Sequence, residues 1–289
     1  MTAWLDTLLQ GLMLGGLYAL FALGLSLVFG VMRLVNIAHG DFIVLAAFAG
    51  VGLQLATGVP SWWLLAIVPA AMFAVGYALQ RGLLNRSLGK GLLPPLLVTF
   101  GLSIVVQNLL LEIFSADSRS LDGGGVETLS LALGGGLAVG VLPLGTFGVA
   151  VVTTAAIQVL FDQTRIGRAF RATSDDAEAA RMVGIDDRRI YAIATAVAFA
   201  LIGLAGVLLA LRTTVAPSDG PNHLLYAFEA VIIGGLGSVW GTFAGGLILG
   251  VAQAIGFRIS PGWGLFFGHV AFLALLVARP RGLFERTRD

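Results

Sequence analysis

The sequence predicts an all-α integral membrane protein, a polytopic bundle of about eight transmembrane segments. Three observations predict it. Of 289 residues, 57% are hydrophobic and only 11% charged, where a soluble domain carries roughly 25% charged residues. The mean hydropathy is +0.94. The apolar runs are also continuous, whereas a membrane β-barrel alternates apolar and polar residues in segments of about ten. A bilayer core about 30 Å thick takes about 20 helical residues to cross, so the chain has room for seven to nine crossings as one domain, 1–289. That composition excludes a water-soluble enzyme and a disordered scaffold. A net charge of +1 gives no attraction to nucleic acid, and the absence of Cys excludes disulfides and thiolate metal sites.

The runs are 8–31, 42–57, 62–79, 92–114, 139–161, 190–211, 224–257 and 265–278. The short start MTAWLD has no basic n-region, so no cleaved signal peptide is expected. The seventh run is too long for one crossing and carries the glycine-rich break GGLGSVWG at 234–241. It reads as two half-helices, a hairpin or a re-entrant segment; the last two are favoured, since irregular backbone at depth needs protein or a watery cavity around it. Thirteen of the 17 basic residues fall in segments 81–90, 165–189 and 279–288. Those segments are assigned to the cytoplasm, because short cytoplasmic loops are enriched in Lys and Arg. Segment 115–136 has Arg119 against Asp117, Asp122 and Glu127 and is assigned to the opposite side, as is the N-terminus.

The most informative loop is 162–189, with six Arg and six acidic residues. Asp175 and Glu178, three apart, fit a capping box; Asp176 adds charge to the first turn, and Gly184 suits a helix stop. Two readings are open: an amphipathic helix on the bilayer surface, or a knob that enters a cleft on a cytosolic partner. The knob would present Ala179, Ala180 and Val183, rimmed by Arg168, Arg171 and Arg181, within the segment Gly167 to Gly184. A second constellation is NIAHGD at 36–41. Asn36, His39, Gly40 and Asp41 either line a substrate path, as polar groups at membrane depth tend to do, or form a satisfied turn at the inner surface. Glu229, beside the glycine-rich break, belongs to a candidate path or to a buried polar network, and His269 is expected to hydrogen-bond a neighbouring helix. Glycines four apart at 11/15, 237/241/245 and 246/250 signal close helix packing, within the chain or between subunits. The sole Gly-Lys pair, Gly89-Lys90, has Leu84 where a phosphate loop needs its first glycine. No catalytic motif, cofactor site or metal-ligand spacing is present.

GRAFRATSDDAEAARMVGID at 167–186 resembles the cytoplasmic coupling segment of branched-chain amino-acid ABC-importer permeases. GLYALFALGLSLVFGVMRLVNIAHGDF, FGLSIVVQN, EAVIIGGLGSVWGTFAGGLILG and RPRGLF follow the family's order, covering the chain almost end to end. The short N-terminus is similar to that of the smaller of the two paired permeases. The resemblance implies an importer of branched-chain or related hydrophobic amino acids, or similar small organic solutes, in a bacterial inner membrane. It implies a second permease, in a heterodimer, two ATP-binding subunits that use ATP and Mg, and a periplasmic substrate-binding protein. The other class left open is a self-sufficient secondary transporter or channel for a small neutral solute such as urea.

Overall fold

The computed structural model describes residues 2–88, 91 and 93–284; Lys90, Arg286 and Arg288 of the basic segments lie outside them. Among the described residues, eight helices are long and apolar enough to cross a membrane. Helix α1 (Thr2–Met32) is apolar all round, and 83% of its most apolar window is buried. A helix of that kind belongs in the middle of a bundle. It is followed by α2 (His39–Thr57), and by α3 (Ser61–Leu79), which continues through a π-helical turn at Gln80–Leu84 into α4 (Asn85–Ser87). Next come α5 (Leu93–Phe114), α6 (Val141–Gln163), and the short α7 (Arg165–Asp175) and α8 (Ala177–Met182). The chain closes with α9 (Asp187–Arg212), α10 (Gly220–Gly234), α11 (Val239–Ile259) and α12 (Gly264–Ala278). The segment between α5 and α6 folds a small antiparallel hairpin, β1 (Ser130–Gly134) with β2 (Leu137–Gly140).

Helices α1 and α9 form the centre, with α11 packed on α1 and α3 on α9. The window that ends in α12 is only 11% buried, which puts that helix on the periphery, facing lipid or another subunit. Glycine sets the closest crossing. At Gly15, Gly246 and Gly250 a Cβ would collide with the backbone of the facing helix, so α1 and α11 touch main chain to main chain. Gly241 and Gly245 do the same against α10 at Gly234 and Ala230. These small-residue repeats therefore serve packing inside the chain.

The order of elements repeats with reversed direction. A long helix (α1), an extended stretch (33–38), a shorter helix (α2) and a return helix (α3) are matched by α9, 213–219, α10 and α11. Contacts follow the same exchange: α1 meets α11 as α9 meets α3, and α2 meets α9 as α10 meets α1. Sidedness is fixed by contacts at each end. The backbone of Val215 pairs with Arg119, and Gln10 donates to the Ala138 carbonyl, which gathers the arginine-poor face. At the other face, Leu283 and Phe284 donate to the carbonyls of Ile233 and Gly234. The seventh apolar run is thus broken, and both arms cross. The extended stretch and α10 make one passage and α11 makes the next, where sequence reasoning favoured a re-entrant segment. The reason is that 213–219 supplies the outer half of the passage without looking apolar.

Replacing Gly250 by Leu is expected to force α1 and α11 apart. Overpacking costs typically about 1–3 kcal/mol, so the purified variant should unfold at a lower temperature in detergent. An unchanged melting temperature would show that the crossing has slack.

Candidate functional site

Helices α2 and α10 both begin inside the membrane. His39, the first residue of α2, has its Nε2 2.7 Å from the carbonyl oxygen of Phe21. Phe21 lies eleven residues, about 16 Å, from the arginine-rich end of α1. The stretch after Arg33 therefore climbs back from that face to mid-membrane before α2 starts. Arg33 makes the reversal, with φ 53° and its N–H bonded to the Phe29 carbonyl. Asn36 holds the turn itself, its Oδ1 accepting from the Ala38 N–H at 3.1 Å. Both Asn36 and His39 are buried, and the bonds they make lie within the chain.

The start of α10 meets the start of α2. A Cβ on Gly40 would collide with the Gly220 carbonyl and the Leu224 N–H, and one on Gly220 would collide with Asp41. The Asp41 carboxylate therefore rests on the N-terminal residue of α10 and lies in the first turn of α2, between two positive helix ends. Gln107 of α5 donates to its Oδ1 at 2.8 Å, and Ser103 accepts from the same amide at 3.2 Å. At 2% exposure, the Asp41 carboxyl group is shielded from water by the chain. Gln107 and Ser103 belong to the FGLSIVVQN motif but give no periodic signal; a neutral amide among apolar residues reads as packing. His223 was missed for a different reason. It sits one residue before the apolar run that starts at Leu224, and so reads as loop, yet α10 begins three residues earlier.

Glu229 lies lower on α10, where its Oε1 is 2.6 Å from His269 Nδ1 on α12. The two ionisable groups that the sequence treated separately are one pair, and it ties the peripheral helix to the broken segment. Near it the Tyr18 hydroxyl donates to Gln253 Oε1 at 2.6 Å, linking α1 to α11. Below the 36–39 turn a cavity of about 520 Å³ opens at the arginine-rich end, lined by Phe29, Met32, Arg33, Val35, Leu88 and Pro95.

The coupling-segment candidates lie at that same end. Thr164 caps α7 by accepting from the Gly167 N–H at 3.0 Å, and a Cβ at Gly167 would strike the carbonyls of Leu160 and Phe161. The chain turns sharply there. Arg171 reaches back to the Phe161 carbonyl and to Asp162, while Arg168 is exposed. The cap of α8 is Asp176, which accepts from the N–H groups of Glu178 and Ala179; Asp175 ends α7. The expected cap is thus displaced by one residue, because two helices meet at Asp176 where one was expected, and with Ala179 three residues on it is not a capping box. Gly184 takes φ 87° and the Ile185 N–H returns to the Ala180 carbonyl, a left-handed stop. Arg181 clasps Asp187 at 2.7 Å, and that bond raises the guanidinium pKa. Ala180 is buried under the turn, whereas Met182 and Val183 project, 83% and 77% exposed.

Contacts join this segment to the membrane interior. Ser174 donates to the Gly30 carbonyl of α1 at 2.7 Å, and Gly30 faces Gly237 in the break between α10 and α11. Leu283 and Phe284 donate to the end of α10 beside the same break. Among the described residues no group of His, Asp and Glu could hold a metal ion.

The profile of the family described as the permease component of branched-chain amino acid transport systems matches residues 7–277. BraD of Pseudomonas aeruginosa, a high-affinity branched-chain amino acid transport system permease protein, is 30% identical over 98% of this chain and 96% of its own. LivH of Escherichia coli, described in the same words, is 27% identical with the same coverage. LivM of that organism is also 27% identical, but the match spans 68% of its length, so the chain has the size of the smaller relatives. The solved structure of PsaBC from Streptococcus pneumoniae in complex with Fab superposes with a TM-score of 0.52 over 97% of both chains, at 17% identity. That similarity concerns the fold. By the extent of the profile match, the chain belongs to the permease components of branched-chain amino acid transport systems, which are transport subunits and not enzymes.

Proposed function

We propose that this chain is the smaller permease of an importer that carries branched-chain or related hydrophobic amino acids across a bacterial inner membrane into the cytoplasm. As a permease component of a multi-pass membrane transporter it works with a second permease and with ATPase subunits, which use the ATP. The finer reading is an unlike permease as partner, two ATP-binding subunits that take ATP with Mg, and a binding protein docked on the arginine-poor face. The arginine-rich face is read as cytoplasmic.

One observation carries the reading: a clasped, capped two-helix projection whose apolar tip, Met182 and Val183, stands clear of the rest of the chain. Burying one such side chain is worth about 1.5–3 kcal/mol, enough for the tip to anchor in a cleft on an ATPase. Arg168 and Arg171 lie beside the α7 turn, and exposed pairs there contribute about 0–1 kcal/mol each. Ala180 supports the knob from inside. A shift of the knob would pull on α1 through Ser174 and Gly30, and on the α10–α11 break through Gly237. Helix α10 then carries the displacement to the mid-membrane junction with Asp41. Transport requires that ATP binding favour one of the two arrangements, and this chain of contacts supplies the path. Asn36, His39 and Gly40 shape the junction by fixing the start of α2, Asp41 supplies its charge, and Glu229 with His269 holds α10 against α12.

Met182→Asp and Val183→Asp are expected to insert and fold normally but to lose the ATPase subunits. A loss near 1.4 kcal/mol is about tenfold in a binding constant. Co-purification of the ATPases at wild-type yield with both variants would remove the knob from the coupling role.

Because the sequence has no Cys, single cysteines report sidedness directly. Leu133→Cys should react with an impermeant maleimide in cells with a permeabilised outer membrane, and Asp176→Cys only after lysis. The reverse pattern would invert the topology.

His39→Ala removes the bond to Phe21 and should reduce uptake at least severalfold while the complex still assembles. Wild-type uptake would show that the start of α2 needs no such pin.

A further inference from the structure

Two polar residues in the first turn of α10 have no assignment in the reading above. The ring of His223 is packed 5.2 Å from Phe21 and 6.4 Å from Tyr226, centroid to centroid. Both ring nitrogens are shielded from water, and neither has a hydrogen-bond partner within the chain. Every other histidine ring here is bonded: His39 to the Phe21 carbonyl and His269 to Glu229. Its neighbour Asn222 is exposed on the outside of the chain, with Pro221 and Leu225. Contact with Phe21 puts this turn at mid-membrane. An exposed amide there does not face lipid tails, because hydrocarbon offers nothing to its donors and acceptor. The His223 ring is half-buried, and its two nitrogens, covered by the chain itself in this arrangement, are idle, which is equally unexpected unless another arrangement gives them a partner.

We propose that Asn222 and His223 form the solute-contacting station of the translocation path, taking the polar head of a zwitterionic amino acid as it passes mid-membrane. The proposal rests on the reading of the chain as an amino-acid permease and adds the residues that touch the solute. The amide and imidazole N–H groups stand at the positive end of a half-helix, a setting that favours a carboxylate. Asp41, packed against Gly220 two residues before Asn222, places a carboxyl group beside the same turn, an acceptor for an ammonium group. Apolar Phe21 and Tyr226 leave the site undemanding of the side chain. Asp41, Gln107 and Gly220 hold the station in place; Asn222 faces its occupant, and His223 behind it meets the occupant when movement of α10 uncovers its nitrogens.

Two measurements on the transporter assembled with its partner subunits test this. In one, Asn222→Cys is compared with Leu273→Cys on the periphery of α12, using a small cationic methanethiosulfonate that reacts with thiolate in water. The Asn222→Cys variant should react at least tenfold faster than the Leu273→Cys variant; equal inertness would show that Asn222 is covered by protein or lipid, and would overturn the proposal. In the other, His223→Phe keeps the aromatic packing and removes both nitrogens. Leucine uptake into proteoliposomes supplied with binding protein should fall at least tenfold, with ATPase co-purification unchanged; wild-type uptake would overturn the role of His223. Should the unmodified complex import no branched-chain amino acid while the Asn222→Cys thiol still reacts, the amino-acid reading fails and the water-accessible station stands. Uptake by the unmodified complex with an inert thiol in the Asn222→Cys variant keeps that reading and removes the station.

Discussion

A bilayer offers no partner to an exposed peptide group, so a chain that breaks a helix at membrane depth must satisfy the freed N–H and C=O groups itself. This protein breaks twice at the same depth, at the starts of α2 and α10, and sets the two breaks against each other. Gly40 and Gly220 allow the main chains to touch. Asp41 then answers the positive ends of both half-helices at once, and Gln107 completes its hydrogen bonding. Neither break is tolerable without the other. A side chain at either glycine would separate the helix ends and leave a carboxylate unpaired in an apolar interior, where an isolated charge is expensive.

The reversed repeat explains why the breaks coincide. If 2–87 and 187–259 are two copies of one long helix, extended stretch, half-helix and return, their half-helices must start at the midplane and run in opposite directions. α2 reaches the arginine-poor face and α10 the arginine-rich face. Only α10 therefore ends beside Gly237, the 282–284 stretch and the α1 terminus that Ser174 holds. The two halves are asymmetric: one half-helix is connected to the α7–α8 projection, and the other is anchored on the opposite face near Asp122 through Gln54. A displacement at the projection moves one side of the junction relative to the other. That differential movement is what a gate requires.

The hydropathic runs and the basic segments made the bundle, its broken seventh run and the gathering of the arginine-rich segments at one face readable, because burial in lipid and Arg placement act residue by residue. The start of α10 was not readable. Its first turn, Gly220 to His223, has loop composition, and its contacts with Asp41 and Phe21 reveal that it lies in the membrane. The knob was legible as a capped element, but its cap fell at Asp176 because the preceding residue is already committed to α7. Which of its small residues are exposed depends on the turn at Gly184, and no periodicity in six residues separates buried Ala180 from projecting Val183. His269 and Glu229, 40 residues apart, become partners only when α12 folds back on α10.

The polar content of the path also bears on how such a transporter divides its work. A solute that crosses must be bound well enough to enter and weakly enough to leave. A ring of fixed charges around the junction would hold a zwitterion too tightly. Here the Asp41 carboxyl group is already engaged by two helix ends and by Gln107, and Glu229 by His269, which reduces the charge they present to a guest. Selectivity built on such groups is shallow, since an apolar pocket separates side chains differing by one methylene by only about 1–3 kcal/mol. A permease of this construction therefore gains most by leaving recognition to a partner that binds before the membrane step, and by spending its own structure on the transition. On the proposed reading, the glycine crossings, the clasped projection and the tethered half-helix serve movement between two packed arrangements, and the few polar groups at mid-membrane serve the solute that passes.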